Sequence, residues 1–123
     1  MEILLHYTWR HKLLPLKELT TTDGHSVEII DPGLHNRQAA GPDFFNAKVK
    51  IGGTLWVGNV EIHDKASDWY QHGHDHDPRY DNVVLHVCET IDTEVQNSQG
   101  QFLPQMQLSV PQHVKEHYEE LLN

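Results

Sequence analysis

Apolar residues recur along this chain with two different spacings, and the changes between them mark out its elements. Ile3, Leu4, Tyr7, Trp9, Leu13 and Leu14 roughly follow a helical period, and Pro15 ends the segment. The pattern predicts a helix over Glu2–Leu13. Leu16–Thr21 and Ser26–Ile30 flank Asp23-Gly24, a pair that favours a hairpin turn. Asp31–Pro42 has no period and carries Pro32, Gly33, Asn36, Gly41 and Pro42, so it reads as a loop long enough to be functional.

Strict alternation begins at Asp43–Ile51. Phe45, Ala47, Val49 and Ile51 are predicted to point one way, and Asn46, Lys48 and Lys50 the other. Gly52-Gly53 turns the chain into a second strand, Thr54–His63, with Leu55, Val57, Val60 and Ile62 as its apolar members and a bulge expected at Gly58-Asn59. Ala66–His72 fits a short helix with Ser67 as its N-cap. Asn82–Glu89 is almost continuously apolar, the pattern of a strand covered on both faces. Glu94–Leu103 resembles another hairpin around Asn97-Ser98-Gln99-Gly100. Pro111 opens a C-terminal helix, for which Leu121-Leu122 supply a late apolar face. The order predicts an α/β or α+β domain, residues 1–123, with a mixed sheet.

Composition narrows the function. The 123 residues include 18 Asp and Glu against nine Lys and Arg, a net charge of −9, which argues against a nucleic-acid surface on this chain. No apolar run reaches the ~20 residues of a membrane helix, and the N-terminus lacks the features of a signal peptide. These readings predict a cytoplasmic protein without membrane contact. The one cysteine, Cys88, lies in an apolar run and is expected to be buried and inert. Eleven histidines are the unusual feature, since imidazole is a frequent metal ligand.

The chemistry concentrates between Asp43 and Asp81. Glu61 and His63 are two apart on a strand and share a face. Folding at Gly52-Gly53 can bring Asp43 beside Glu61. Two carboxylates held together repel unless a cation lies between them, and Mg²⁺ or Mn²⁺ accepts such ligands and polarises a phosphoryl oxygen. A second cluster, His72-Gly73-His74-Asp75-His76-Asp77, reads either as a zinc chelate or as a solvated acidic loop. His63 or Asp68 is placed to complete a zinc set. A combined site is also predicted, with His72 and His74, in preference to His76, approaching Glu61 and His63. Trp56, Trp69 and Tyr70 are read as core in preference to a stacking surface, and Arg37 as a surface residue in preference to a phosphate contact.

Gly41-Pro42-Asp43, then seventeen residues, then Glu61-Ile62-His63 resembles the pattern of the PD-(D/E)XK nuclease superfamily. The longer stretches Gly-Pro-Asp-Phe-Phe-Asn-Ala, Trp-Val-Gly-Asn-Val-Glu-Ile-His and Ser-Asp-Trp-Tyr-Gln-His-Gly-His resemble an uncharacterised bacterial family in which this segment is the N-terminal part of a longer protein. The nuclease resemblance implies a restriction-endonuclease-like core, a mixed central sheet flanked by helices. It implies Asp43 and Glu61 as metal ligands, the Ile62 carbonyl as a further one, and Asp43, Glu61 and His63 as the catalytic set. Glu2 matches the acidic residue that some members carry on the first helix. The superfamily's lysine position holds His63, which can bind metal, act as general base or mark an inactive relic. The function implied is a metal-dependent phosphodiesterase using Mg²⁺ or Mn²⁺, with Zn²⁺ as the alternative, reaching nucleic acid through a larger parent protein. The competing readings are a non-catalytic metal-binding module and a domain that binds a protein partner or a second copy of itself.

Overall fold

In the computed structural model, which describes residues 2–15, 17–118 and 120, the chain begins with the helix α1 (Glu2–Arg10). It buries Leu4, Leu5, Thr8 and Trp9, while Ile3 stays exposed. The helix is shorter than the predicted Glu2–Leu13. Lys12 turns to a φ of 52°, and the Leu13 N–H closes back on the Thr8 carbonyl at 2.9 Å, which ends the helical path. Leu13 and Leu14 still pack against the core from the turn.

Among the described residues seven strands form one mixed sheet: β1 (Leu19–Thr20), β2 (Ser26–Asp31), β3 (Leu34–His35), β4 (Phe44–Ile51), β5 (Thr54–Lys65), β6 (Val83–Thr90) and β7 (Gln105–Gln107). They lie in the order β1-β2-β4-β5-β6-β7, with β3 paired to β4. The first five pair antiparallel, whereas β6 runs parallel to β5 and β7 parallel to β6. Between β5 and β6 the crossover carries α2 (Asp68–Gln71) and two 3₁₀ turns, His74–His76 and Pro78–Tyr80. A last helix, α3 (Gln112–Glu116), follows β7. The fold is α+β, with few helices around a mixed sheet.

The Asp23-Gly24 hairpin forms as predicted, with Leu19 opposite Val27, but its first strand is only two residues long and Leu16 lies outside the described residues. The loop over Asp31–Pro42 is not structureless, because β3 within it pairs Leu34 with Phe45 and His35 with Phe44. On β4 the inward set is Phe44, Ala47, Val49 and Ile51, so Phe44 takes the place predicted for Phe45. An extra residue explains this. The step from Phe44 to Ala47 faces the shorter step from Val60 to Gly58, and Asn46 takes a φ of 56° at the bulge. The bulge predicted on Gly58-Asn59 is therefore on the partner strand. Leu55 and Val57, two of the apolar members read on this strand, are 51% and 57% exposed. β6 begins only opposite Asn59, so that end of β5 is paired on one edge alone, with β4.

Gly58 has a steric reason. A Cβ there would lie 2.4 Å from Val84 Cγ1 and 2.7 Å from the Asn82 carbonyl. Ser67 sits at the N-cap position of α2 without a capping bond; its hydroxyl and N–H both go to Asp92 instead. The predicted Glu94–Leu103 hairpin contracts to a single bridge, Gln96 to Phe102, around the 97–100 turn. Pro111 precedes α3 as its cap residue, and Leu121-Leu122 lie outside the described residues.

Alternation along the parallel pair then divides the interior. Val60 and Ile62 of β5 with Leu85 and Val87 of β6 face the main core, which also takes Trp9, Phe44, Val49 and Met106. Glu61 and His63 of β5 with His86 and Cys88 of β6 face the other way, toward the crossover. There Trp69, Tyr80, Val83 and Val95 form a smaller apolar cluster with Cys88. The polar chemistry is thus held between the sheet and a short, well-packed crossover. Among the described residues no helix is long and apolar enough to cross a membrane.

Candidate metal centre

Asp43 immediately precedes β4, and Glu61 lies across from it on β5. Two backbone bonds tie them together. The Asp43 N–H donates to Glu61 Oε1 at 3.1 Å, and the Ile62 N–H donates to Asp43 Oδ2 at 2.8 Å. The structure therefore brings Ile62 to the site through its amide N–H.

Glu61 and His63 share a face as the strand period requires, with His63 Nε2 3.4 Å from Glu61 Oε2. His72 ends the turn after α2, and Gly73 at a φ of 72° reverses the chain so that His74 also faces the sheet. His74 Nε2 meets Glu61 Oε2 at 2.8 Å, and His72 Nδ1 meets His63 Nε2 at 3.3 Å. Each of His63, His72 and His74 offers one ring nitrogen, all within 4.8 Å of one another. His74 is stacked on Tyr80, with centroids 3.7 Å apart, and touches Trp69 edge-on, so its ring has little freedom.

A second set lies beside the first. His6 Nε2 of α1 is 3.5 Å from both Glu2 Oε1 and Asp43 Oδ2, and its Nδ1 is 3.4 Å from His35 Nε2. Glu2, Asp43, Glu61, His63, His72 and His74 all line one cleft of about 350 Å³, with Arg79 and Tyr80 on its wall. Two larger grooves, of about 850 and 680 Å³, contain no such cluster of ligating side chains among the described residues.

Burial sets the electrostatics. It holds the Glu61 carboxyl up to about 7. Burial, then the charge of Glu61, holds Asp43 up to about 8. On the imidazole side burial pushes His63 down to about 2 and His86 to about 4, and lowers His74 as well. His6 moves the other way: burial opposes its charge, but the bond to Glu2 and the charges of Asp43 and Glu2 raise it. The cleft therefore disfavours its own ionised carboxylates and keeps His63 and His74 neutral, which is the protonation state a metal requires of histidine.

The donor set fits a small divalent ion. Ligand atoms around tetrahedral zinc at ~2.0–2.1 Å are roughly 3.3–3.4 Å apart. The separations of His63 Nε2 from His72 Nδ1 and from Glu61 Oε2, 3.3 and 3.4 Å, match that edge. His74 Nδ1 is buried and has no hydrogen-bond partner, so its ring's polar contact is made on the Nε2 side, toward the cluster.

Other predicted positions fall elsewhere. His76 is exposed and pairs with Asp75 at 3.2 Å, because the 3₁₀ turn carries it away from the sheet. Asp68 does not join the set; its Oδ2 accepts from the Lys65 N–H. Arg37 is exposed and absent from the cleft wall. Trp69 is core, as read, while Trp56 is half exposed and Tyr70 is 39% exposed. Cys88 is buried, and burial pushes its thiol up. His6, His86, Gln105 and Tyr80 were missed. The available signal for His86 was a histidine at the centre of a strand read as covered on both faces.

A family model described as a protein of unknown function, DUF2851, matches residues 2–123. The chain belongs to the DUF2851 family. Neither the curated proteins nor the solved structures yield a match to it. For this DUF2851 chain, function is therefore argued from the cleft itself.

Proposed function

We propose that this cleft is a divalent-metal centre that hydrolyses phosphoesters, built on a core of PD-(D/E)XK type. The observation that carries the reading is the joining of Asp43 to Glu61-Ile62 by two backbone N–H bonds, beside the His63, His72 and His74 nitrogens. The order of helix, antiparallel strands, crossover and parallel strand supports the same reading, with Asp43 at the head of one central strand and Glu61-Ile62-His63 on the next.

Glu61, His63 and His72 would hold the ion, with Asp43 as a further carboxylate ligand in the same cleft. His74, donating to Glu61 Oε2, holds that carboxylate in place, or would add a ligand if its proton moved from Nε2 to Nδ1. A bound metal would supply Lewis-acid polarisation of the phosphoryl oxygen and a more acidic water. The protein supplies the rest. Burial removes competing water, and Asp43, whose carboxyl is held up to about 8, can accept a proton from the nucleophile once it has itself ionised. Arg79 provides a positive charge on the wall for an anionic substrate, although Asp77 holds its guanidinium at 2.7 Å. His63 in the position of the motif lysine shifts the metal preference from Mg²⁺ toward Mn²⁺ or Zn²⁺.

A second reading, metal binding without turnover, is favoured by one observation: the net charge of −9 with Arg79 neutralised by Asp77. Contact with nucleic acid would then depend on other parts of a larger protein, or on a partner. The test is hydrolysis of bis(p-nitrophenyl) phosphate and of single- and double-stranded DNA and RNA, with Mg²⁺, Mn²⁺ or Zn²⁺. We expect metal-dependent turnover that falls at least about 100-fold in Asp43→Ala and Glu61→Ala, the scale on which such sites depend on their ligands. Tight metal binding without turnover on any substrate would leave only the second reading. No metal binding would remove both.

A further inference from the structure

Behind the cleft a chain of polar side chains crosses three adjacent strands. Gln105 of β7 lies opposite His86 of β6, and His86 lies beside His63 of β5. All three are buried, at 2%, 0% and 1% exposure. Gln105 Oε1 is 2.7 Å from His86 Nδ1, and His86 Nε2 is 2.8 Å from His63 Nδ1. Gln105 Nε2 donates to the Thr93 carbonyl at 2.8 Å.

We propose that Gln105 and His86 are positioning residues that fix the proton of His63 on Nδ1 and so present a bare Nε2 lone pair to the cleft. The direction of every bond follows from one fixed end. A carbonyl oxygen only accepts, so the Thr93 contact requires the NH₂ end of Gln105, and its oxygen must face His86. His86 Nδ1 therefore carries a proton. Its Nε2 is then the acceptor, because an imidazolium would be buried with no carboxylate beside it; its other neighbour is Cys88 Sγ at 3.5 Å. His63 Nδ1 must donate to it. His63 Nε2 is left bare, 3.3 Å from His72 Nδ1 and 3.4 Å from Glu61 Oε2.

A neutral histidine in water prefers the opposite tautomer, with the proton on Nε2. The three-strand relay reverses that preference before any ligand arrives. A bare nitrogen beside a carboxylate oxygen is repulsive unless a proton or a cation lies between them, so the relay prepares the cleft for one. Backing of this kind orients metal-ligating histidines and raises their basicity. The value of the relay for metal binding rests on the function proposed above; the tautomer itself does not.

The experiment is long-range ¹H–¹⁵N correlation of the imidazoles in the metal-free protein, followed by titration with Zn²⁺ alone. We expect pyrrole-type Nδ1 and pyridine-type Nε2 shifts for His63. Gln105→Met, which removes the acceptor, should release His63 toward the other tautomer and weaken Zn²⁺ binding roughly 10–100-fold. A proton on His63 Nε2 in the wild type would overturn the proposal whatever the zinc result, and requires no variant to fold. An unchanged tautomer in a folded Gln105→Met protein would overturn it as well. The expected shifts with no Zn²⁺ binding would uphold the relay and defeat the metal reading instead.

Discussion

At the scale of single residues, the cleft is a set of charges that burial restrains. A carboxyl whose folded pKa is raised holds its proton more tightly in the folded chain than in the unfolded one. The stability that Glu61 and Asp43 contribute is thus complete below about pH 4 and is lost as pH climbs through about 7 and about 8. The buried imidazoles run the other way. His63 and His86, pushed down to about 2 and about 4, stabilise the fold above about pH 6.5 and less as pH falls. Between about 4 and 6.5 the two slopes oppose; above 6.5 the carboxyl slope remains, joined by that of His6, whose raised pKa likewise loses stability as pH rises. The metal-free protein should therefore lose stability from pH 6.5 to 8.5 in urea denaturation, and Glu61→Gln should flatten much of that loss. An equal slope in the variant would show that Glu61 is not its source. Asp43, Glu61 and His63 were legible in the sequence because a strand period and a tight turn fix which residues share a face. His86 and Gln105 were not, since only pairing between distant parallel strands puts them behind His63.

At the scale of elements, local patterns predicted the strands but not their relative phase. Alternation over β4 gave a correct strand with Phe45 inward, and one extra residue at Asn46 put Phe44 there instead. That single step also places Asp43, the residue before Phe44, next to Glu61. The short helix α2 and its two following turns were partly visible through Gly73 and Pro78, whereas the ends of α1 and the length of β1 depended on packing. Gly58 is where two elements come closest. Gly58→Ala would press a methyl group into Val84 and the Asn82 carbonyl at the start of the parallel pairing. Overpacking of this kind costs about 1–3 kcal/mol. Chemical denaturation should show a loss in that range, and a variant as stable as wild type would mean that β6 can shift away freely.

At the scale of the whole molecule, groups able to ligate a metal come from α1, the head of β4, β5 and the crossover, so an ion in the cleft would add a further tie between these elements. Anything that binds only the folded state adds about 2.7 kcal/mol at a hundred times its dissociation constant. For a chain of this size that corresponds to roughly 10 °C in melting temperature. Zn²⁺ or Mn²⁺ should raise the melting temperature by that order, EDTA should reverse it, and His63→Ala should abolish it. A metal-insensitive melting curve would contradict a centre formed from these elements. The sheet order has a further consequence for biosynthesis. His63, His86 and Gln105 are separated in sequence by 23 and 19 residues, and they leave the ribosome in that order. The last strand delivered is the one that orients the first, so a nascent chain halted before β7 carries Glu61 and His63 without the backing that directs them. On the function proposed above, loading of a metal would be an event of the completed sheet, and a truncated translation product would be a poor competitor for scarce metal in the cell.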